Sequence, residues 1–124
     1  MKRVTGIGGI FFQADDPKAL GDWYEKHLGI PRMAGSNTAI FTDSSGMTVW
    51  TLFEKRCPYF QPSNAPFMLN YRVDNLDALL EALHAEGVDV DPKREDSDYG
   101  RFAWIRDPEG NKIELWEPPK DAVE

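Results

Sequence analysis

One pattern occurs twice along the 124 residues: an apolar run, an acidic or amide helix cap, a helical stripe of apolar side chains and a glycine stop. In the first copy, Gly6 to Ala14 is rich in Ile and Phe and ends at Asp15-Asp16-Pro17. Asp16 is placed to cap a helix and Pro17 to open it, because proline forfeits no hydrogen bond at the first helical position. Leu20, Trp23, Tyr24 and Leu28 follow at helical spacing, and Gly29 can take the left-handed conformation that closes the helix. In the second copy, Phe67 to Val73 reads as a strand, Asp74-Asn75 as the cap and Leu76, Leu79, Leu80 and Leu83 as the buried stripe, with Gly87 at the end. Asp15 aligns with Asp74, Ala19 with Ala78 and Leu20 with Leu79 at one constant offset.

The tail of each copy repeats as well. Asp43-Ser44-Ser45-Gly46 precedes the run Met47 to Glu54, and Asp107-Pro108-Glu109-Gly110 precedes Asn111 to Glu117. Both tetrads carry turn chemistry, an Asp to open and a Gly able to take positive φ, so each feeds a strand from a hairpin. Further strands are expected near Met33 to Thr42, in one or two pieces, at Val88 to Lys93 and at Arg101 to Arg106. Two βαβββ modules result, at about 4–56 and 67–118, joined by a linker at about 55–66 whose Tyr59 and Phe60 suggest that it packs onto something. A chain of 124 residues is too short for two ordinary domains, so both modules belong to one.

Composition narrows the function classes. A net charge of −7 argues against a nucleic-acid partner and leaves room for a cationic small molecule. No run approaches the roughly 20 apolar residues of a membrane helix, and no convincing cleavage site follows the short apolar stretch after Met1-Lys2-Arg3, so a cytoplasmic location is expected. The one cysteine, Cys57, is expected to be a free thiol in a loop.

The duplicated βαβββ pattern, together with Asp107-Pro108-Glu109-Gly110-Asn111-Lys112-Ile113-Glu114-Leu115 and the helix end Trp23-Tyr24 to Leu28-Gly29-Ile30, resembles the vicinal oxygen chelate (glyoxalase/bleomycin resistance/dioxygenase) superfamily. The resemblance implies an α+β fold in which two tandem modules form a curved, cup-like mixed sheet with helices on the outside. It also implies a cavity that commonly holds a divalent metal, and a homodimer. Members range from lyases, epimerases and dioxygenases to metal-free antibiotic-sequestering proteins, so the fold leaves the activity open.

Family metal ligands come from the first and last strand of each half. Carried onto this chain, those positions are Gly9, Trp50, Met68 and Glu114, of which only Glu114 offers an oxygen. The two histidines, His27 and His84, both fall near helix ends, away from the strands that would line a cavity. A transition metal is therefore not expected, although a divalent metal held partly by loops stays open as the alternative.

Strand alternation then sorts the side chains. It puts Gly9, Phe11, Gln13, Met68, Asn70 and Arg72 on the concave side, with Trp50, Lys112, Glu114 and Trp116 from the last strands and Phe102 and Trp104 beside them. Val49, Thr51 and Phe53 would face the helices. Tyr99 and Arg101 would overhang the mouth. The expected ligand-binding set is Phe11, Gln13, Trp50, Met68, Asn70, Arg72, Tyr99, Arg101, Trp104 and Trp116. Glu114 is the candidate catalytic group, either buried without a charged partner, and then a candidate acid or base, or neutralised by Arg72. The expected function is metal-free binding of a small hydrophobic, aromatic or cationic molecule in a tryptophan-lined cavity. The alternative is a metal-dependent glyoxalase-type lyase, isomerase or ring-cleaving dioxygenase, and a cup filled by its own tryptophans is the third possibility.

Overall fold

The computed structural model describes residues 3–120. The first module runs β1 (Val4–Ala14), α1 (Pro17–Leu28), β2 (Thr38–Asp43) and β3 (Gly46–Glu54). The second runs β4 (Phe67–Val73), α2 (Leu76–Ala85), β5 (Asp89–Ser97), β6 (Gly100–Arg106) and β7 (Lys112–Glu117). These seven strands form one mixed sheet in the order β2-β3-β1-β4-β7-β6-β5, so the modules meet where β1 and β4 pair antiparallel. Within each module the first strand runs parallel to the last, β1 with β3 and β4 with β7. The counterpart of β5 in the first module is reduced to a single bridge, Arg32 to Ala39. Among the described residues no helix is long and apolar enough to cross a membrane.

Both helices begin and end where their chemistry dictates. The Asp16 carboxylate accepts from Ala19 N at 3.1 Å with Pro17 just inside, and Gly29 closes α1 at φ 66°. In α2 the Asn75 side chain accepts from Ala78 N at 3.0 Å, and Glu117 at the end of β7 accepts from Leu76 N at 2.8 Å. The helix start is thereby tied to the sheet. Leu76, Leu79 and Leu83 bury against Val73, Ala103 and Leu115.

The core beneath α1 departs from the expected sorting. Trp50 packs with Ala39 and Leu52 on the helix side of the sheet, its ring 5.2 Å from Tyr24 and 5.6 Å from Phe12. The cause lies in the hairpins. Two residues, Ser44 and Ser45, separate the paired Asp43 and Gly46, whereas three separate Asp107 from Asn111, whose carbonyl accepts from Asp107 N. One residue of difference reverses the phase of every side chain that follows. Thr51 therefore pairs with Phe11 as Glu114 pairs with Asn70, and Val49, Thr51 and Phe53 face the concave side instead of the helices.

Candidate functional site

The concave face encloses a cavity of about 510 Å³. Phe11 from β1, Val49, Thr51 and Phe53 from β3, and Phe102 and Trp116 from β6 and β7 build its walls. Glu114 and Asn70 form the floor, and Glu95, Asp98 and Tyr99 from the β5–β6 hairpin form the rim. The hairpin reaches further than its sequence suggested: β5 runs beyond Lys93 through Ser97 and β6 begins at Gly100, which leaves Asp98 and Tyr99 as the turn. Trp116 stacks on Phe102, with planes 6° apart, and donates to Tyr99 O at 2.8 Å, fixing the hairpin to the wall.

Glu114 is 2% exposed and accepts from three neutral donors. Asn70 Nδ2 reaches Oε1 at 2.6 Å, Trp104 Nε1 reaches Oε2 at 3.0 Å, and the Tyr59 hydroxyl also donates to Oε2. Burial pushes the Glu114 carboxyl above the ordinary carboxylate range, against the opposing pull of these hydrogen bonds and of the Lys112 charge. Burial, reinforced by the Glu114 charge, pushes the Tyr59 phenol up, so Tyr59 keeps its proton and remains a donor. The remaining Asn70 oxygen, Oδ1, is buried with no hydrogen-bond partner. It sits against Gly8, where an added Cβ would collide with it and come within 2.8 Å of Trp116 Cε3. Only glycine lets β1 pass this close.

The other expected site residues are distributed as follows. Met68 lies on the concave side but is roofed by Phe60, Phe11 and Trp104, outside the cavity lining. Trp104 likewise lies beneath the floor, outside the cavity lining, where it donates to Glu114 and packs edge-on against Tyr59. Gln13 accepts from Arg56 N at the end of the cup, at 3.2 Å. Arg72 does not meet Glu114: its guanidinium is held by Ser45 and the Ile7 carbonyl. Arg101 points away from the mouth and pairs with Asp77 of α2 at 3.1 Å. Of the tryptophans expected on the cup, only Trp116 lines the cavity; Trp50 is on the opposite face, and the walls are mainly Phe, Tyr, Val and Met.

Sequence reasoning missed Tyr59. It lies in the linker on a short 3-10 turn, Pro58–Phe60, stacked on Phe53 at 5.7 Å with planes 4° apart. Lys112 Nζ donates to its carbonyl at 2.7 Å and lies over its ring and that of Trp104. The available signal was the pair of aromatics between prolines, which period-2 and period-3.6 patterns do not weigh.

The residues present do not fit a divalent metal. With the corrected register the family ligand positions hold Gly9, Thr51, Met68 and Glu114. Gly9 has no side chain, Thr51 Oγ1 is bonded to Thr38 Oγ1 at 3.0 Å, and Met68 is packed beneath Phe60. The Glu114 oxygens already face three hydrogen-bond donors, the arrangement for an anion or acid rather than for a ligand aimed at a cation. Among the described residues no three His, Cys, Asp or Glu side chains converge.

Paired βαβββ modules that share one sheet, with a carboxylate from the last strand at the cup floor, define a class of small proteins built by duplication. The chain belongs to the Glyoxalase/Bleomycin resistance protein/Dioxygenase superfamily, whose pattern matches residues 6–115. Similar solved structures include methylmalonyl-CoA epimerase from Mycobacterium tuberculosis, at 22% identity and TM-score 0.71 over 98% of this chain and 93% of that one. A methylmalonyl-CoA epimerase in complex with methylmalonyl-CoA and NH4+ is 17% identical, with TM-score 0.72 over 98% of this chain and 99% of that one. A superfamily member from Vibrio splendidus 12B01 is 10% identical, with TM-score 0.60 over 90% and 97%. Identities this low show a shared fold. No curated protein matches the chain.

Proposed function

We propose that this protein binds a small hydrophobic or aromatic molecule in the concave cavity without a metal. One observation carries the proposal above all: a cavity of about 510 Å³ walled by apolar and aromatic side chains, with its polar groups gathered at the floor and the rim. Pockets of this size and composition suit compact apolar ligands oriented by a few polar contacts. The poor fit of the floor to a cation-coordinating site supports the metal-free part.

Titration with N-phenylnaphthylamine, an uncharged fluorophore of suitable size, tests binding directly. The expected result is saturable fluorescence enhancement that a Val49→Trp variant, with the cavity filled and the melting temperature retained, abolishes. Enhancement unaffected by Val49→Trp overturns the assignment to this cavity. Metal analysis and thermal-shift titration of divalent ions test the other half: a stoichiometric metal lost in Glu114→Gln overturns the metal-free reading.

A second reading is favoured by the buried Glu114–Tyr59 pair. A carboxyl held above its ordinary range is suited to exchange a proton with a bound molecule, as general acid or base in a lyase or isomerase. Glu114→Gln separates the two, because loss of turnover with retained ligand binding favours catalysis. A homodimer belongs to the same proposal, supported by the exposed Ile40 and Phe41 on edge strand β2. Sedimentation as a monomer at micromolar concentration overturns it.

A further inference from the structure

The charged side chains that line the cavity are Glu95, Asp98 and Glu114; among the described residues no Lys, Arg or His joins them. None of the three acids lies within ion-pair distance of a described base; the ion pairs among the described residues use other carboxylates. The cations nearby are occupied elsewhere: Lys112 by the Tyr59 carbonyl and the Tyr59 and Trp104 rings, Lys93 over the Trp104 ring, and Arg72 by Ser45 and Ile7. The rim therefore presents one sign of charge to the occupant, and the floor a carboxyl with no cation in ion-pair contact.

An independent observation points the same way. Asn70 is 2% exposed, spends its two-donor end on Glu114 and leaves Oδ1 without a donor beneath the cavity floor. A buried acceptor left unpaired is costly, so with Glu114 ionised the floor carries an acceptor that has no donor. Turned toward the cavity, that oxygen would accept from a ligand N–H, whereas a ligand whose polar end is a carboxylate or phosphate brings only further acceptors. The aromatic rings of Phe102, Trp116 and Tyr99 present faces that attract cations as well as apolar groups.

Building on the binding proposal above, we infer that the occupant is a small aromatic amine, bound as its ammonium with the ring between the aromatic walls. Carboxylates, phosphates and acyl thioesters bearing them are excluded by the same field that admits the amine. The exposed rim carboxylates steer the cation and are weakened by salt; the acceptors of the buried floor, screened far less, disfavour an anionic polar end.

Isothermal titration calorimetry with naphthylmethylamine, naphthylmethanol and naphthoate, matched in shape and differing in charge, tests the inference at neutral pH. The amine is expected to bind about tenfold more tightly than the alcohol, and naphthoate about tenfold more weakly than the alcohol or not at all. In a Glu95→Gln/Asp98→Asn variant, which removes both rim charges and keeps their shape, the amine loses about threefold in affinity and most of its salt dependence, and the uncharged alcohol loses less. Equal binding by all three, or preference for naphthoate, overturns the inference and leaves the cavity as a binding site. Binding by none overturns the binding proposal together with it.

Discussion

Glu114 is the buried carboxyl at the floor of the cavity. Its folded-state carboxyl titrates above the ordinary value because burial disfavours the charged form. Its contribution to stability is therefore fully present below the ordinary carboxylate range and is lost as pH rises through the folded-state value. Glu114→Gln should fold, because a Gln amide can donate to Asn70 once the Asn70 amide turns over, the same exchange that protonated Glu114 would make. Urea unfolding of both proteins across pH is expected to show the wild type losing stability relative to the variant as pH rises; a pH-independent difference would refute the assignment. Tyr59→Phe should keep the ring stack on Phe53 but strip one donor from a buried carboxylate. A loss of about 1–3 kcal/mol by the same measurement is expected. Neither Tyr59 nor the Asn70–Glu114 bond was legible in the sequence, since both depend on contacts between residues far apart in the chain, whereas Glu114 itself was legible from its place in the Asp107 to Leu115 run.

At the scale of elements, local chemistry was readable where a single side chain decides a boundary. Asp16, Pro17 and Gly29 frame α1, and Asn75 and Gly87 frame α2, as their types require. Asn75→Ala removes the Asn75–Ala78 hydrogen bond and is expected to cost about 1 kcal/mol in chemical denaturation, since the Glu117 bond to Leu76 N remains. A change near zero would mean that Glu117 alone holds the helix start. Strand phase was less readable. Trp50 was assigned through the resemblance of two turns whose Asp-to-Gly spacing is identical, but the turns close their hairpins with different numbers of residues. Hydrogen-bond closure, which the sequence does not display, decides the face.

For the whole molecule, opposing titrations set a pH window. The carboxyls of Asp22, Asp43, Asp77, Glu86 and Asp107 are held below their ordinary values, first of all by a side-chain hydrogen bond from Arg32, Ser45, Arg94, Arg3 and Asn111 respectively. Their contributions are present above the ordinary range and fade as pH falls through the folded-state values, the reverse of Glu114. Stability is expected to be greatest between the ordinary carboxylate range and the folded-state value of Glu114, and a melting-temperature profile that keeps rising into alkali would contradict this. All five are exposed pairs or turns, so added salt should flatten the acid limb where Arg partners are involved and leave the Glu114 limb in place. The duplicated architecture was readable at this scale because repetition in the chain becomes repetition in space; the βαβββ order is complete in the second module, while one strand of the first is reduced to a bridge. The turn between β2 and β3 shows what such an architecture permits. Adding or removing one codon there would exchange the inner-facing set of β3, Val49, Thr51 and Phe53, for its outer set, while β1 and the half that carries Glu114 stayed as they were; length variation in a surface hairpin is thus a lever on ligand choice that changes several wall residues at once.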